Sequence, residues 1–144
     1  MRLSILLIPV VCLGGCSRQP EPPPKLPPIA GISARIHAVP EWSSPSIDSV
    51  EVPQEEVPAF AVLITPTEPC VQTIDPKMHY HVADVVVRHP DGSTTSLIVR
   101  WTGHGPAAVS LDGQKYYYGG SDDFPDGATR IVRLLYQYHH RSRK

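Results

Sequence analysis

Proline limits this chain more than any other residue. Seventeen of its 144 residues are proline, and they concentrate in the first half. A fixed φ and a missing amide oppose helix interiors and central strands at each of them. The organisation this imposes is a proline-rich leader followed by a more regular body, and a chain of this length has room for one domain.

The clearest regular element is a hairpin of His81 to His89 and Ser93 to Trp101, closed by Pro90-Asp91-Gly92. Proline presets φ in such a turn and glycine accepts a left-handed conformation. With His89 opposite Ser93, Val87 pairs with Thr95, Val85 with Leu97, Ala83 with Val99 and His81 with Trp101. The odd-numbered face is then the core face, and Asp84, diagonal to Arg100, faces water with Arg88. A second hairpin joins Ala107–Leu111 to Gln114–Tyr118 through Asp112-Gly113, a type I′ signal that pairs Val109 with Tyr116. That register turns Ala107, Val109, Leu111, Tyr116 and Tyr118 inward and leaves Ser110, Lys115 and Tyr117 outward.

Upstream, Ile32 to Ala38 alternates as a strand would, and it is the single strand read between Ile32 and Val57. The apolar run Ala59–Thr65, bounded by Pro58 and Pro66, reads as a strand buried on both faces. At the other end, Phe124, Ala128, Ile131, Val132, Leu135 and Tyr138 recur at helical spacing. They predict a helix over about 124–140, with Asp123 as its cap and Pro125 in its first turn. Its basic end, His139 to Lys144, complements the helix dipole and is a candidate contact for anionic lipid or polymer. The expected fold class is α+β: a small antiparallel sheet of two or more hairpins covered by one C-terminal helix, spanning 32–144.

Ahead of the body, Met1 and Arg2 precede an apolar run from Leu3 to Leu13. A bilayer span takes about 20 apolar residues, so this run suits an export signal instead. Leu13-Gly14-Gly15-Cys16 resembles the lipobox of bacterial lipoproteins, in which a small residue precedes the cysteine that receives a diacylglyceryl group. The resemblance covers Met1 to about Ser17. It implies a signal peptide over 1–15, lipid attachment at Cys16 with palmitate-type acyl chains, and an extracytoplasmic address on a membrane. Ser17, where aspartate would mark inner-membrane retention, implies the outer membrane where the organism has one. Gln19 to Pro28, within an anchor and tether over 16–31, reads as a polyproline spacer reaching about 30 Å.

Lys plus Arg number 13 against 14 for Asp plus Glu, which leaves no cationic surplus for a phosphate backbone and argues against nucleic acid. Cys12 and Cys16 fall in the signal and the anchor. Cys70 is the cysteine left to the mature chain, so an intramolecular disulfide is not expected. A nucleophilic Cys70 would need a histidine beside it, and no residue is read as catalytic.

Candidate chemistry rests on histidine and tyrosine. His79 and His81 flank Tyr80 at the spacing that places two imidazoles on one strand face, where zinc or copper can be gripped. His104, in Thr102-Gly103-His104-Gly105, is the candidate third ligand, with His37 or Asp84 as substitutes. The competing reading is a pair of strand-end histidines without an ion. Tyr116-Tyr117-Tyr118 beside Gly119-Gly120 offers aromatic faces of the kind that stack on sugars, and the candidate ligand surface is Tyr117 with Trp101. Together these readings suggest an envelope lipoprotein presenting a non-enzymatic interaction domain to another envelope protein or a cell-wall polymer, with no cofactor beyond its covalent lipid. The alternative is an extracytoplasmic metal-binding protein or enzyme built on His79, His81 and His104.

Overall fold

The computed structural model describes residues 21–39, 42–70, 80–102, 105–120 and 126–144. In chain order the elements are β1 (Gly31–Ile36), β2 (Ile47–Glu51), α1 (Val57–Ile64), β3 (Pro66–Pro69), β4 (His81–Arg88), β5 (Thr94–Arg100), β6 (Ala107–Ser110), β7 (Tyr117–Gly119) and α2 (Gly127–Ser142). The strands form one seven-stranded sheet in the order β2-β1-β4-β5-β6-β7-β3, antiparallel at every pairing. The protein is α+β, with the C-terminal helix packed on the sheet. Among the described residues no helix is long and apolar enough to cross a membrane.

The β4–β5 hairpin has the expected register over most of its length, pairing Val87 with Thr95, Val85 with Leu97 and Ala83 with Val99. At its far end the register shifts. His81 pairs with Arg100, where the turn geometry had predicted Trp101, because Val82 is an extra residue on β4 and forms a β-bulge. On the other side of β4, β1 aligns Ile32 with Val87, Ala34 with Val85 and Ile36 with Ala83. One buried face therefore runs across three strands as Ile32, Ala34, Ile36, Ala83, Val85, Val87, Leu97 and Val99. α2 covers that face with Ala128, Ile131, Val132, Leu135 and Tyr138, the stripe expected from its spacing. Each large aliphatic side chain buried this way contributes about 1.5–3 kcal/mol. The helix starts at Gly127 after Asp126, which makes no side-chain cap; Asp123, Phe124 and Pro125 lie outside the described residues.

Three upstream or downstream expectations are corrected. The segment between Ile32 and Val57 holds two strands, since β2 pairs with β1 through Ala34–Val50 and Ile36–Ile47. The run Ala59–Thr65, expected as a buried strand, lies mostly in α1. Pro58 sits in the first turn, where no amide is required, and Thr65 closes the helix by donating its amide and hydroxyl to the Ala61 carbonyl. A short apolar run has the same appearance whether a strand or a helix buries it. Phe60 meets Tyr138 edge to face, joining the two helices.

The second hairpin is displaced by one residue, pairing Val109 with Tyr117 and Ala107 with Gly119. Asp112 does not sit in a two-residue turn. Its carboxylate accepts the amides of Gln114 and Lys115 at 2.8 and 2.9 Å, and Ser110 Oγ accepts the Gly113 amide, so the loop is wider than the dipeptide implied. The slip turns Tyr117 inward, leaves Leu111 exposed and buries Ser110.

The leader is not free over its whole length. Leu26 and Ile29 pack against the core, Ala30 donates its amide to the Arg88 carbonyl, and buried His89 donates from Nδ1 to the Pro28 carbonyl at 2.8 Å. A carbonyl only accepts, so Nδ1 carries the proton and Nε2 is left to accept from Thr95 Oγ1 at 2.8 Å.

A Cβ at Gly119 would lie 2.5 Å from the Leu63 carbonyl oxygen, so Gly119→Ala should destabilise by about 1–3 kcal/mol in urea unfolding. Val62→Ala, at a helix position 50% exposed, should cost no more than about 0.5 kcal/mol, and equal losses would refute the close packing of α1 on β7. His89→Ala should release the leader and speed tryptic cleavage after Lys25, with an unchanged rate counting against the docking. The amides of Lys115 and then Gln114 hold the Asp112 carboxyl below its ordinary range, so its contribution is full at neutral pH and fades as pH falls through that lowered value. Asp112→Ala should therefore melt lower than wild type at pH 7, and the gap should narrow in acid.

Candidate functional site

The sheet face opposite the helices mixes charged and polar side chains, Arg35, Asp84, Arg88, Ser96 and Arg100, with Val86, Ile98 and Ala108. Arg88 pairs with Glu51 at 2.7 Å and Arg35 with Asp48 at 3.6 Å, exposed ion pairs that contribute little to stability. Arg100 lies over the Tyr116 ring at 5.3 Å. At the bulged end of β4 this face gathers three groups whose chemistry exceeds what a solvated surface needs: His37, His81 and Asp84.

Their assembly follows from strand geometry. His37 comes directly after β1 and shares the outward parity of Arg35, which is paired with Asp84. Its amide donates to the Val82 carbonyl at 2.9 Å, which fixes it beside the bulge. Asp84 faces Ile98, and His81 faces Arg100. Ile98 and Arg100 are two apart on β5 and point the same way, so His81 and Asp84 share a face although they are three apart on β4. In a regular strand without the bulge at Val82, His81 would point with Ala83 into the core.

Each imidazole donates to a different oxygen of one carboxylate. His37 Nε2 lies 2.8 Å from Asp84 Oδ2, and His81 Nε2 lies 2.6 Å from Asp84 Oδ1. The two rings are 4.2 Å apart between centroids. Partial burial works to raise the Asp84 pKa, and the hydrogen bonds from His37 and His81, with their charge, outweigh it and hold the carboxyl below its ordinary value. The side chains of His37, His81 and Asp84 are 33%, 36% and 41% exposed, so water reaches the cluster.

Of the histidines singled out by sequence, His81 is here, whereas His79 and His104 lie outside the described residues. His37 and Asp84, named there as substitute ligands, are the groups brought to His81. Trp101, expected opposite His81, has the Tyr80 ring stacked on it at 6.0 Å and Trp42 edge-on at 5.5 Å. Trp101 is half-buried at the rim of the core. Tyr117, expected as the exposed aromatic of the ligand surface, is only 7% exposed and belongs to the core, a correction that follows from the register slip in the second hairpin.

Cys70 lies just beyond β3, donating its amide to the Tyr116 carbonyl, and its side chain neighbours Tyr118, whose pKa burial and the Cys70 contact push up. A groove of about 310 Å³ beside α2 is lined by Trp42, Val132, Tyr136 and His140 among others, and does not reach the His37 cluster.

Fold and site thus define an α+β domain with a single antiparallel sheet, one helix-covered face and an open His–His–Asp cluster on the other. The chain matches no protein-family model, no curated protein and no solved structure.

Proposed function

We propose that this chain is a lipid-anchored protein of the bacterial cell envelope that displays a small non-enzymatic binding domain outside the cytoplasm. The observation that carries this reading is Leu13-Gly14-Gly15-Cys16, placed directly behind an apolar run of signal length and directly before a proline-rich leader. Acyl chains on Cys16 would anchor through about 0.8 kcal/mol per buried methylene, and two or more chains hold stably. Ser17 favours the outer membrane where there is one. The partner class is another envelope protein or a cell-wall polymer.

Docking of the leader from Leu26 onward supports a defined spacing from the membrane. The residues between Cys16 and Leu26 span at most about 30 Å as polyproline, which limits how far the docked domain can stand from the membrane.

Labelling cells with an alkyne fatty acid tests the anchor. The wild-type chain should take up label and fractionate with membranes, and Cys16→Ser should do neither. Equal labelling of the two chains would refute the proposal.

A further inference from the structure

We propose that His37, His81 and Asp84 form a binding site for a divalent first-row transition metal ion of the zinc class. The ligand atoms of the three groups all lie within 4.8 Å of one another, and they come from neighbouring strands fixed by the β1–β4 pairing and by the bulge. Zinc–nitrogen and zinc–oxygen bonds of about 2.0–2.1 Å at a tetrahedral angle place ligand atoms about 3.3 Å apart. The two His–Asp separations, 2.8 and 2.6 Å, run to different oxygens of the carboxylate, and the partly exposed side chains have room to adjust so that one oxygen and both nitrogens reach that spacing. Two imidazoles with one carboxylate suit zinc, cobalt or copper, whereas calcium and magnesium take oxygen ligands.

Binding replaces a proton by the ion. Each Nε2 that now donates to Asp84 must present its lone pair to the ion: a neutral ring does so by carrying its proton at Nδ1 instead, with no net release, and a doubly protonated ring by losing its Nε2 proton to solvent. Asp84 is already ionised in the hydrogen-bonded cluster. Three protein ligands leave a fourth position open to water or to a donor atom from another molecule, and the exposure of the cluster gives that donor a path. Among the described residues no fourth protein ligand joins the three. The arrangement therefore fits an ion that meets an external ligand at the surface. This inference does not depend on the lipid anchor, and the two stand or fall separately.

The full chain, purified in detergent and stripped with a chelator, should bind a single equivalent of Zn²⁺ by calorimetry, with a rise in melting temperature. Co²⁺ should give the visible absorption of a low-coordinate site with nitrogen and oxygen ligands. Affinity should fall by about tenfold or more in each of His37→Gln, His81→Gln and Asp84→Asn. The adjacent His139 and His140 near the end of α2 are the control, since His139→Gln with His140→Gln should leave the affinity unchanged. Absence of binding to the wild type overturns the proposal. So does binding that survives all three cluster substitutions, or binding removed by the control pair. Should a cluster variant fail to fold, the wild type still decides the matter: Zn²⁺ must protect His37 and His81 from carbethoxylation, mapped by mass spectrometry, and equal modification with and without the ion refutes the site.

Discussion

The sheet depends on the register between β4 and β5. At the turn, the Asp91 carboxylate accepts the Ser93 amide and hydroxyl at 2.9 and 2.6 Å, while the His89 amide donates to the Ser93 carbonyl. Those bonds fix which residues oppose each other from the turn as far as the bulge at Val82. A slip of one residue would turn β4 over against β5 and exchange Val85 and Val87 for Asp84 and Arg88 beneath α2, placing two charges in an apolar core. β1 takes its register from the other edge of β4, so the buried face of three strands has one origin.

Where two sequence signals agreed, the structure follows them. The Pro90-Asp91-Gly92 turn and the alternation on either side both specify the first hairpin, and the 3.6-residue period specifies the stripe of α2. The second hairpin had only the turn dipeptide. Once Asp112 spends its carboxylate on the amides of its own loop, the strands begin later and Tyr117 moves to the inner face. For α1 the signal was present but short. Val57, Phe60, Leu63 and Ile64 are the buried positions, at helical spacing, while the small Ala59 and Ala61 separate them. Across so few residues an apolar run between prolines does not discriminate the two periods.

The candidate site was legible in its residue types and not in its arrangement. Alternation places His81 with Ala83, on the core side, and would never join it to Asp84. The inserted Val82 reverses that parity, and Val82 and Ala83 are both fully buried as a result. A bulge is a property of paired strands, and nothing in one strand's composition announces it. His37 is farther still from being predicted, because its place depends on β1 lying beside β4, a contact between segments 47 residues apart.

The two ends of β4 carry the two proposals. At the turn end, Arg88 and His89 hold the leader that would run to the membrane; at the bulged end, His81 and Asp84 hold the candidate metal site with His37. Eight residues of extended chain separate His81 from His89, roughly 25 Å at the usual strand rise. Under the proposed anchoring, the leader emerges from one end of the sheet and the cluster sits at the other, on a face that neither helix covers. An ion held there with an open coordination position would point away from the attachment point. That geometry suits encounter with a soluble or wall-bound donor group better than contact with the lipid surface, and it follows from one strand having a tight turn at one end and an extra residue at the other.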